Sequence, residues 1–289
     1  MSLQFEKTDK PVIDLFKTSD FNFDYKLDPK VKEPEKTIYF NKDGSLTTQI
    51  IEMNGDLTPL PAIRKGSFIR FFIGGRSGSY KSSTCGILIK RFLDANDNNI
   101  FILYYNCNEK DTVLEKYLKK IGHNNIIVFT PKSFEETYKK RKMIPLTVDA
   151  LNDYQKKTRN IPMLIVFDDL EACNNPLLRK ATHAFMLDLL QRGRKHSDKT
   201  DNLSVINIQH TMLNYSQSVK LFNESNYCVF NLRAVPDNAI VNMLANKFGY
   251  DNNIIEYILE NKRQGGGITW FSTEYPMIIF NQNAIIIQS

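Results

Sequence analysis

The sequence has few cysteines and no long apolar run. Its four cysteines form no C-x-x-C pair and have no histidine at zinc spacing, so neither a disulfide framework nor a zinc site is expected, and we interpret them as core residues. No apolar stretch approaches the roughly 20 residues needed to cross a bilayer, and the polar segment 1–10 lacks the apolar core of a signal peptide. We therefore expect a soluble protein of a reducing, intracellular compartment, without a membrane span.

The charge balance is mildly basic. The 289 residues include 38 Lys and Arg against 32 Asp and Glu, which gives a formal net charge of +6. This excess favours a polyanionic partner, but it is too common to identify one. Hydrophobic residues make up 42% of the chain, enough for a globular core, and the length leaves one or two domains open.

The first 65 or so residues differ from the rest. Segment 1–36 is charged and without sustained periodicity, which predicts a loosely packed arm. Apolar stretches on either side of Asp43-Gly44 predict a β-hairpin, and Leu57–Pro61, with two prolines, reads as a connector. We therefore predict an N-terminal extension with a hairpin over 1–65 and a main domain over 66–289.

From Ser67 onward, short apolar runs alternate with helical patterns. This alternation predicts an α/β fold of three layers, with a mainly parallel central sheet between helices. A C-terminal hairpin is predicted from Ile268–Ser272 and Met277–Phe280, and Gly265–Gly267 is either a mobile loop or a close backbone approach. The predicted strands are Phe68–Ile73, Ile100–Tyr105, Ile126–Phe129, Met163–Phe167, Leu203–Ile208 and Tyr227–Phe230. The predicted helices are Ser82–Asp94, Asp111–Ile121, Val148–Thr158, Pro176–Arg192 and Asp237–Phe248.

The most specific feature is a glycine- and serine-rich segment between a strand-like run and a helical pattern. Counted from Gly75, it fits G-x-x-x-x-x-K-S, the phosphate-binding loop motif, in the context that this motif needs. Glycines let the backbone curl so that successive N–H groups point at phosphate oxygens, and the following helix adds its positive end. The segment therefore predicts a site for the phosphates of ATP.

Individual roles follow from the motif. Lys81 is expected to reach the β- and γ-phosphates, and the Ser82 hydroxyl to hold Mg²⁺. Tyr80 stands where the motif normally has glycine, so its side chain either crowds the phosphates or requires a strained backbone. The alternative is a turn that merely joins a strand to a helix. The predicted phosphate-binding residues are Gly75, Arg76, Ser77, Gly78, Ser79, Tyr80, Lys81, Ser82 and Ser83.

A second motif is the apolar run Met163–Phe167, which ends in two carboxylates. In proteins with this loop, a neighbouring strand ends in an acid that supports Mg²⁺, a role we assign to Asp168. The next acid can polarise the attacking water as a general base, and we assign this role to Asp169, with Glu171 in reserve. The alternative is that the two aspartates only cap the following helix.

The next strand carries a third element. Gln209 follows the apolar run Val205–Ile208 and is predicted to sense the γ-phosphate, with His210 less favoured. A glutamine after a strand is otherwise an ordinary loop residue, so this assignment depends on the first two motifs.

These segments together resemble the FtsK–HerA superfamily of ring-forming DNA-pumping ATPases. Within it, the likeness is to the poxvirus-type genome-packaging ATPases of large DNA viruses and virophages. The resemblance spans about Phe68–Asn231 and implies a P-loop NTPase fold of the RecA/ASCE type. The matching segments are Ile73–Ser82, Leu164–Asp169, Gly193–His196 and Ile208–Thr211.

The resemblance implies a function and partners. The chain is expected to use ATP and Mg²⁺, to form a homo-oligomeric ring (a pentamer or hexamer), and to package double-stranded DNA into a capsid. Capsid proteins are the further partners that it suggests, and the virion or the host-cell cytoplasm is the expected location. Tyr80 departs from the family pattern, and the Asp-Asp pair departs from the Asp-Glu of many superfamily members, although the poxvirus-type members share it.

The resemblance also implies an arginine finger. Arg194 matches the arginine that such motors place at a neighbour's ATP, and Arg192 is the alternative. On spacing alone, a solvated basic helix end explains them equally well. DNA contacts are similarly open, because the basic runs Lys139–Lys142 and Arg192–Lys199 fit either phosphate binding or a solvated face.

Two other functions stay open. A small-molecule kinase joins the same loop to a parallel sheet, but we locate no arginine-rich lid or acceptor pocket in the sequence. Tyr80 is alternatively the mark of a degenerate loop in a virion or scaffold protein that binds nucleotide without turnover.

Overall fold

The fold was analysed in a computed structural model, which describes residues 2–4, 10–21, 33–41, 48–106, 114, 118, 126–133, 136, 146–157, 161–192, 203–210, 221, 223–274 and 276–288. The chain divides into two compact units. The first contains Met1–Ala62, Gly74–Tyr80 and Asn226–Ser289, and the second contains Ile63–Ile73 and Lys81–Ser225. The first change of unit, between Ala62 and Ile63, is close to the boundary predicted at residue 65. The C-terminal segment Asn226–Ser289, however, belongs to the same unit as the N-terminal segment. The division into an extension over 1–65 and an ATPase domain over 66–289 stays a prediction.

The elements are numbered in chain order. The strands are β1 Ser2–Gln4, β2 Lys10–Lys17, β3 Lys36–Asn41, β4 Gln49–Glu52, β5 Leu57–Pro61, β6 Arg70–Gly74, β7 Phe101–Asn106, β8 Ile126–Phe129, β9 Met163–Asp168, β10 Leu203–Gln209, β11 Tyr227–Asn231, β12 Ile268–Ser272, β13 Met277–Phe280 and β14 Ala284–Gln288. The helices are α1 Lys81–Ala95, α2 Val148–Lys157, α3 Pro176–Arg192, α4 Asp237–Phe248 and α5 Asn252–Arg263. The predicted helix Asp111–Ile121 lies largely outside the described residues.

The second unit contains the parallel sheet. Its strands lie in the order β6-β10-β9-β7-β8, and β9 pairs in parallel with both β10 and β7, as β7 does with β8. All residues of β6, β9 and β10 are buried, because both faces of such a strand are covered. The strand β9 is accordingly apolar from Met163 to Phe167, whereas β10 also buries Ser204 and Asn207. The predicted α/β fold is therefore confirmed.

Aromatic contacts join the helices of the second unit to its sheet. Tyr105 of β7 stacks on Phe167 of β9, and Phe185 of α3 lies edge-on to both rings. Phe92 of α1 meets Phe71 of β6 in the same edge-on geometry. Each of these rings is nearly or fully buried, so the helices are held by apolar area and by favourable ring geometry.

The first unit is antiparallel. Its N-terminal strands form a four-stranded sheet in the order β1-β3-β2-β5. The C-terminal strands β11, β12, β13 and β14 pair antiparallel in sequence, and β4 pairs antiparallel with β14. The predicted C-terminal hairpin is therefore confirmed as β12–β13, and it continues into β14, which the sequence did not predict.

The predicted N-terminal hairpin is wrong. Its two strands are β3 and β4, and β3 pairs with β1 and β2 whereas β4 pairs with β14. Ile38 of β3 is buried in the N-terminal sheet, and Ile51 of β4 lies in register with Ile285 of β14. Pairing with distant apolar strands therefore outweighs the local turn signal at Asp43-Gly44.

Two other N-terminal expectations also change. The segment read as a loosely packed arm contains β2, in which Val12–Phe16 are all buried. The predicted connector Leu57–Pro61 is the strand β5, which pairs with β2. Both prolines of β5 are tolerated because β5 is an edge strand of its sheet. On the open side of an edge strand, an N–H group makes no hydrogen bond to a neighbouring strand, so proline can replace the residue there.

The Gly265–Gly267 segment is a close backbone approach. The Gly266 N–H donates to the Asn261 carbonyl oxygen at 2.8 Å, directly after α5. A Cβ atom on Gly266 would lie 2.8 Å from that oxygen and would also meet Asn261 Oδ1. Asn261 is itself buried and accepts a hydrogen bond from Asn281 Nδ2 at 2.8 Å. The glycine is thus required by packing against the end of α5.

Two smaller points concern composition. Cys85, Cys173 and Cys228 are buried and are not in disulfide bonds, in agreement with their interpretation as core residues, and burial raises the pKa of the Cys228 thiol. Cys107 lies outside the described residues. Within the described part of the chain, no helix combines the length and apolarity that a bilayer crossing demands.

Candidate nucleotide-binding site

The loop between β6 and α1 has a strongly curled backbone. Gly75, Gly78 and Tyr80 have φ angles of +151°, +77° and +63°. A Cβ atom on Gly75 would lie 2.5 Å from Ser79 Oγ, so the curl needs glycine at this position. The helix α1 begins at Lys81, directly after the loop, and the N–H groups at the start of a helix favour the binding of an anion.

Tyr80 keeps the curl at an energetic cost. Its φ of +63° lies in the left-handed region, which costs a residue with a Cβ atom about 1–2 kcal/mol relative to the right-handed helix. The residue is 43% exposed. Of the two consequences expected from tyrosine at this position, the structure shows the strained backbone.

A histidine connects the phosphate lysine to the acid pair. His210, directly after β10, has its Nδ1 atom 3.4 Å from Lys81 Nζ and its Nε2 atom 3.2 Å from Asp169 Oδ2. Lys81 is only 7% exposed. The loop lysine, the second acid and the end of the neighbouring strand therefore lie together at one edge of the second unit's sheet.

The parallel register explains this convergence. Asp168 at the end of β9 is in register with Asn106 at the end of β7 and with Ile208 near the end of β10. The Asp169 N–H donates to the Ile208 carbonyl oxygen at 3.2 Å, so the acid pair and His210 leave adjacent strands side by side. The carboxyl ends of parallel strands are where such folds place ligand sites.

Tyr104 is a site residue that the sequence did not reveal. Its hydroxyl donates to Asp168 Oδ2 at 2.7 Å, and both residues are buried. A hydroxyl bond to one oxygen fixes the carboxylate orientation. The sequence shows only a tyrosine inside an apolar strand, and the contact depends on the register of β7 against β9.

The helix-capping alternative fails for Asp169. It does occupy the N-cap position of the short 3₁₀ turn Leu170–Ala172, but its side chain makes no capping hydrogen bond there. Its backbone is left-handed, with a φ of 51°, a strained conformation of the kind found at functional sites. Its carboxylate contacts His210 instead.

The remaining predicted residues are distributed as follows. Ser82 and Ser83 are half-buried in the first turn of α1, and Arg76 and Ser77 are exposed. Glu171 is also exposed. Burial lowers the pKa of His183, and the negative charge of Glu171 partly opposes this shift. Gln209 is buried at the end of β10.

Several predictions are not tested by these positions. The sensor role of Gln209 stays a prediction, and the contacts to Lys81 and Asp169 come from His210, the residue that the sequence favoured less. Arg194 and the basic run Lys139–Lys142 lie outside the described residues. Arg192 is the last residue of α3, and its side chain also lies outside them.

The donor set fits Mg²⁺. This ion is usually bound through one or two carboxylates together with substrate phosphates, rather than by a cage of protein ligands. Asp168 offers a buried carboxylate held by Tyr104, and Ser82 offers a hydroxyl next to Lys81. The described residues contain no cluster of three or more His, Cys, Asp or Glu side chains that could hold a metal without a substrate.

Comparisons with known proteins give structural matches alone. No protein-family model matches the sequence, and no curated protein matches it significantly. The structure is similar to B204, the DNA-packaging ATPase of Sulfolobus turreted icosahedral virus, at 13% identity over 76% of this chain and 97% of that one, with a TM-score of 0.41. It is also similar to the cytoplasmic domain of the type VII secretion ATPase EccC of Thermomonospora curvata, at 14% identity over 93% and 32%, with a TM-score of 0.46.

A third match is the pCW3 conjugation coupling protein TcpA, solved with ATPγS, at 10% identity over 83% of this chain and 65% of that one, with a TM-score of 0.42. This chain therefore spans less than two thirds of TcpA and about a third of the EccC domain. One of these similar structures is a viral DNA-packaging ATPase, the class of protein that the motifs resemble. Because the sequence identities and TM-scores of these matches are low, the function of the chain has to be argued from its own residues.

Proposed function

We propose that this chain is a P-loop ATPase that hydrolyses ATP with Mg²⁺ and uses the energy to move double-stranded DNA into a viral capsid. The observation that carries the hydrolysis is the contact chain from Lys81 through His210 to Asp169. It unites a cation for the phosphates with a carboxylate for the water, directly after a loop whose backbone curls as a phosphate cradle does.

Each residue has a role in this proposal. The backbone N–H groups of Gly75–Ser83 bind the phosphates, and Lys81 stabilises charge on the β- and γ-phosphates. Asp168, held by Tyr104, and Ser82 would hold Mg²⁺, which would neutralise charge on the phosphate oxygens. Asp169 serves the attacking water, Glu171 is the reserve for that role, and Gln209 senses the γ-phosphate.

The motor part of the proposal rests on the motif resemblance. Arg194 would reach the ATP of a neighbouring subunit, which requires a ring of identical chains. The net charge of +6 suits a polyanionic partner, and a translocase needs phosphate contacts without base specificity. Capsid proteins, and a place in the virion or the host-cell cytoplasm, belong to the same proposal.

The test is an ATPase assay with and without duplex DNA at several protein concentrations. We expect phosphate release that duplex DNA stimulates, with a rate per chain that rises with protein concentration because the site is completed by a neighbour. The stimulated part should fall steeply with salt, since phosphate contacts release counterions. Single-stranded DNA at the same nucleotide concentration is the control for general polyanion effects.

Other outcomes would contradict the proposal. Transfer of phosphate to a nucleoside would support a small-molecule kinase. ATP binding without phosphate release, with and without DNA, would support a nucleotide-binding virion or scaffold protein. The strained, left-handed Tyr80 is the one observation that favours this second candidate.

A further inference from the structure

We infer that Asn207 is a positioning residue that orients the side chain of Gln209 toward the γ-phosphate. The inference rests on the ATP site proposed above and on the sensor role proposed there for Gln209. Asn207 lies in β10, two residues before Gln209. Neither the motifs nor the family resemblance gives it a function, so the inference adds a residue to the site.

The Asn207 side chain is buried without a hydrogen bond. It is 1% exposed, and within the described part of the chain neither its amide nitrogen nor its oxygen has a partner. A buried amide group without partners destabilises a fold. Such groups are rare in native proteins, and each one requires an explanation. The presence of asparagine at this position is therefore not explained by stability.

Asn207 faces the side of the sheet that α3 covers. It is in register with Phe167 of β9, and paired residues of parallel strands point to the same face. The Phe167 ring lies edge-on to Phe185 of α3. Because side chains alternate along a strand, Gln209 belongs to this face as well. Gln209, which is 5% exposed, is therefore the next side chain on this face toward the carboxyl end of β10.

The two amides are within reach of each other. Residues two positions apart in a strand are separated by about 6.6 Å, and the side chains of asparagine and glutamine together span this distance. Rotation about the side-chain bonds of Gln209 can therefore bring its Oε1 atom to Asn207 Nδ2. The backbone of β10, which is paired with β9, does not have to move.

The orientation of a glutamine amide matters at a phosphate. The amide has an NH₂ group that donates and a carbonyl oxygen that accepts, whereas ionised phosphate oxygens only accept. Gln209 must therefore present Nε2 to the γ-phosphate, with Oε1 turned away from it.

Asn207 supplies what this orientation requires. A buried carbonyl oxygen needs a donor, and Asn207 Nδ2 is a donor without a partner among the described residues. A bond from Nδ2 to Gln209 Oε1 would select the orientation that contacts phosphate. It would also give one of the two unpartnered atoms of Asn207 a hydrogen bond.

The test is equilibrium binding of ATPγS and of ADP, each with Mg²⁺, to the wild-type chain and to Asn207→Leu. ADP lacks the γ-phosphate that Gln209 would contact, so only the binding of ATPγS should depend on the proposed bond. We expect the Kd for ATPγS to rise about three- to tenfold, the usual effect of one hydrogen bond, and the Kd for ADP to stay unchanged. An equal rise for both nucleotides, or no rise for ATPγS, would overturn the inference.

Thermal unfolding separates positioning from a structural role. Asn207→Leu replaces an amide that has no partner by an apolar side chain of similar shape, so the unfolding temperature should stay the same or rise. A lower unfolding temperature for both Asn207→Leu and the smaller Asn207→Val would overturn the inference, because the amide would then have a partner in the folded chain. If Asn207→Leu does not fold, Asn207→Val takes its place in the binding experiment.

Ser204→Ala is the matched control in the same strand. Ser204 is also buried, but its hydroxyl accepts from the Ile69 N–H at 3.2 Å and donates to the Ser67 carbonyl oxygen at 3.0 Å. Its replacement should lower the unfolding temperature, because it leaves buried groups without a partner. The ratio of the Kd values for ATPγS and ADP should stay at the wild-type value.

A double variant tests whether Asn207 acts through Gln209. Gln209→Leu should weaken the binding of ATPγS and not that of ADP. Adding Asn207→Leu to this variant should cause no further loss, because the effects of two residues that act as a unit do not add. A further loss as large as that caused by Asn207→Leu alone would contradict the inference.

The outcomes separate this inference from the proposed function. A wild-type chain that binds neither nucleotide would refute the proposed ATP site and the inference with it. A wild-type chain that hydrolyses ATP, with an Asn207→Leu variant that binds both nucleotides as the wild type does, would refute only the role of Asn207.

Discussion

Replacing Lys81 by alanine is expected to lower ATP turnover by at least about a hundredfold, the usual effect of removing one charge-stabilising donor from a transition state. The ammonium is almost buried at the start of α1 and contacts His210, which contacts Asp169. Its loss removes both the positive charge proposed for the phosphates and the contact with His210. Initial rates of phosphate release at saturating ATP and Mg²⁺ measure the effect.

Lys65→Ala is the control for this substitution. It removes the same charge from an exposed lysine whose partner is Asp97, at 3.5 Å, on the protein surface. Such an ion pair contributes little, so turnover should stay at the wild-type level. Full turnover by Lys81→Ala, with an unfolding temperature near that of the wild type, would refute the assigned site.

Replacing Gly266 by alanine is expected to destabilise the first unit by about 2 kcal/mol or more, as overpacking in a close-packed region does. The added methyl group would lie 2.8 Å from the Asn261 carbonyl oxygen, a backbone atom that cannot rotate away. Relief would require movement of the end of α5, and with it the buried bond between Asn261 and Asn281. Denaturant unfolding measures the change in the free energy of unfolding.

The neighbouring glycine provides a matched comparison. A Cβ atom on Gly267 would meet no atom within 4 Å, and Gly267 is not among the glycines with positive φ. Gly267→Ala should therefore change the free energy of unfolding little, or stabilise slightly through the unfolded chain. Equal destabilisation by the two substitutions would contradict the close approach at Gly266 and favour a general effect of the segment.

The strands and helices of the second unit follow closely from the sequence. The helix Pro176–Arg192 and the strand β8 have the predicted bounds, and the same is true of the helix Asp237–Phe248 in the first unit. Strands buried on both faces are rich in apolar residues, and the apolar residues of the helices between them repeat with a different period, so the local pattern is enough to predict both kinds of element. The acid pair was recognised for the same reason, because it ends such a run.

The N-terminal strands could not be predicted in the same way. The partner of β4 is β14, which lies more than 200 residues later in the chain, and no local pattern encodes that pairing. The prolines of β5 suggested a connector, but they are compatible with a strand at the edge of a sheet. Local signals were outweighed here by long-range apolar contacts.

The site was predictable in its motifs but not in its contacts. The loop, Lys81 and the two aspartates follow from residue types and spacing. Tyr104 and His210 enter through the register of parallel strands, which brings Tyr104 to Asp168 and the end of β10 to Asp169. Register is a property of the assembled sheet, so the contacts of these two side chains could not be predicted from the sequence.

The most direct test of the central claim is the position of the γ-phosphate in a complex with ATPγS and Mg²⁺. The account predicts a triphosphate enclosed by the N–H groups of residues 75–81, with Lys81 Nζ about 3 Å from a γ-phosphate oxygen. The Asp169 carboxylate should face that phosphate. A triphosphate bound elsewhere, or one at the loop with Asp169 turned away from it, would contradict the account.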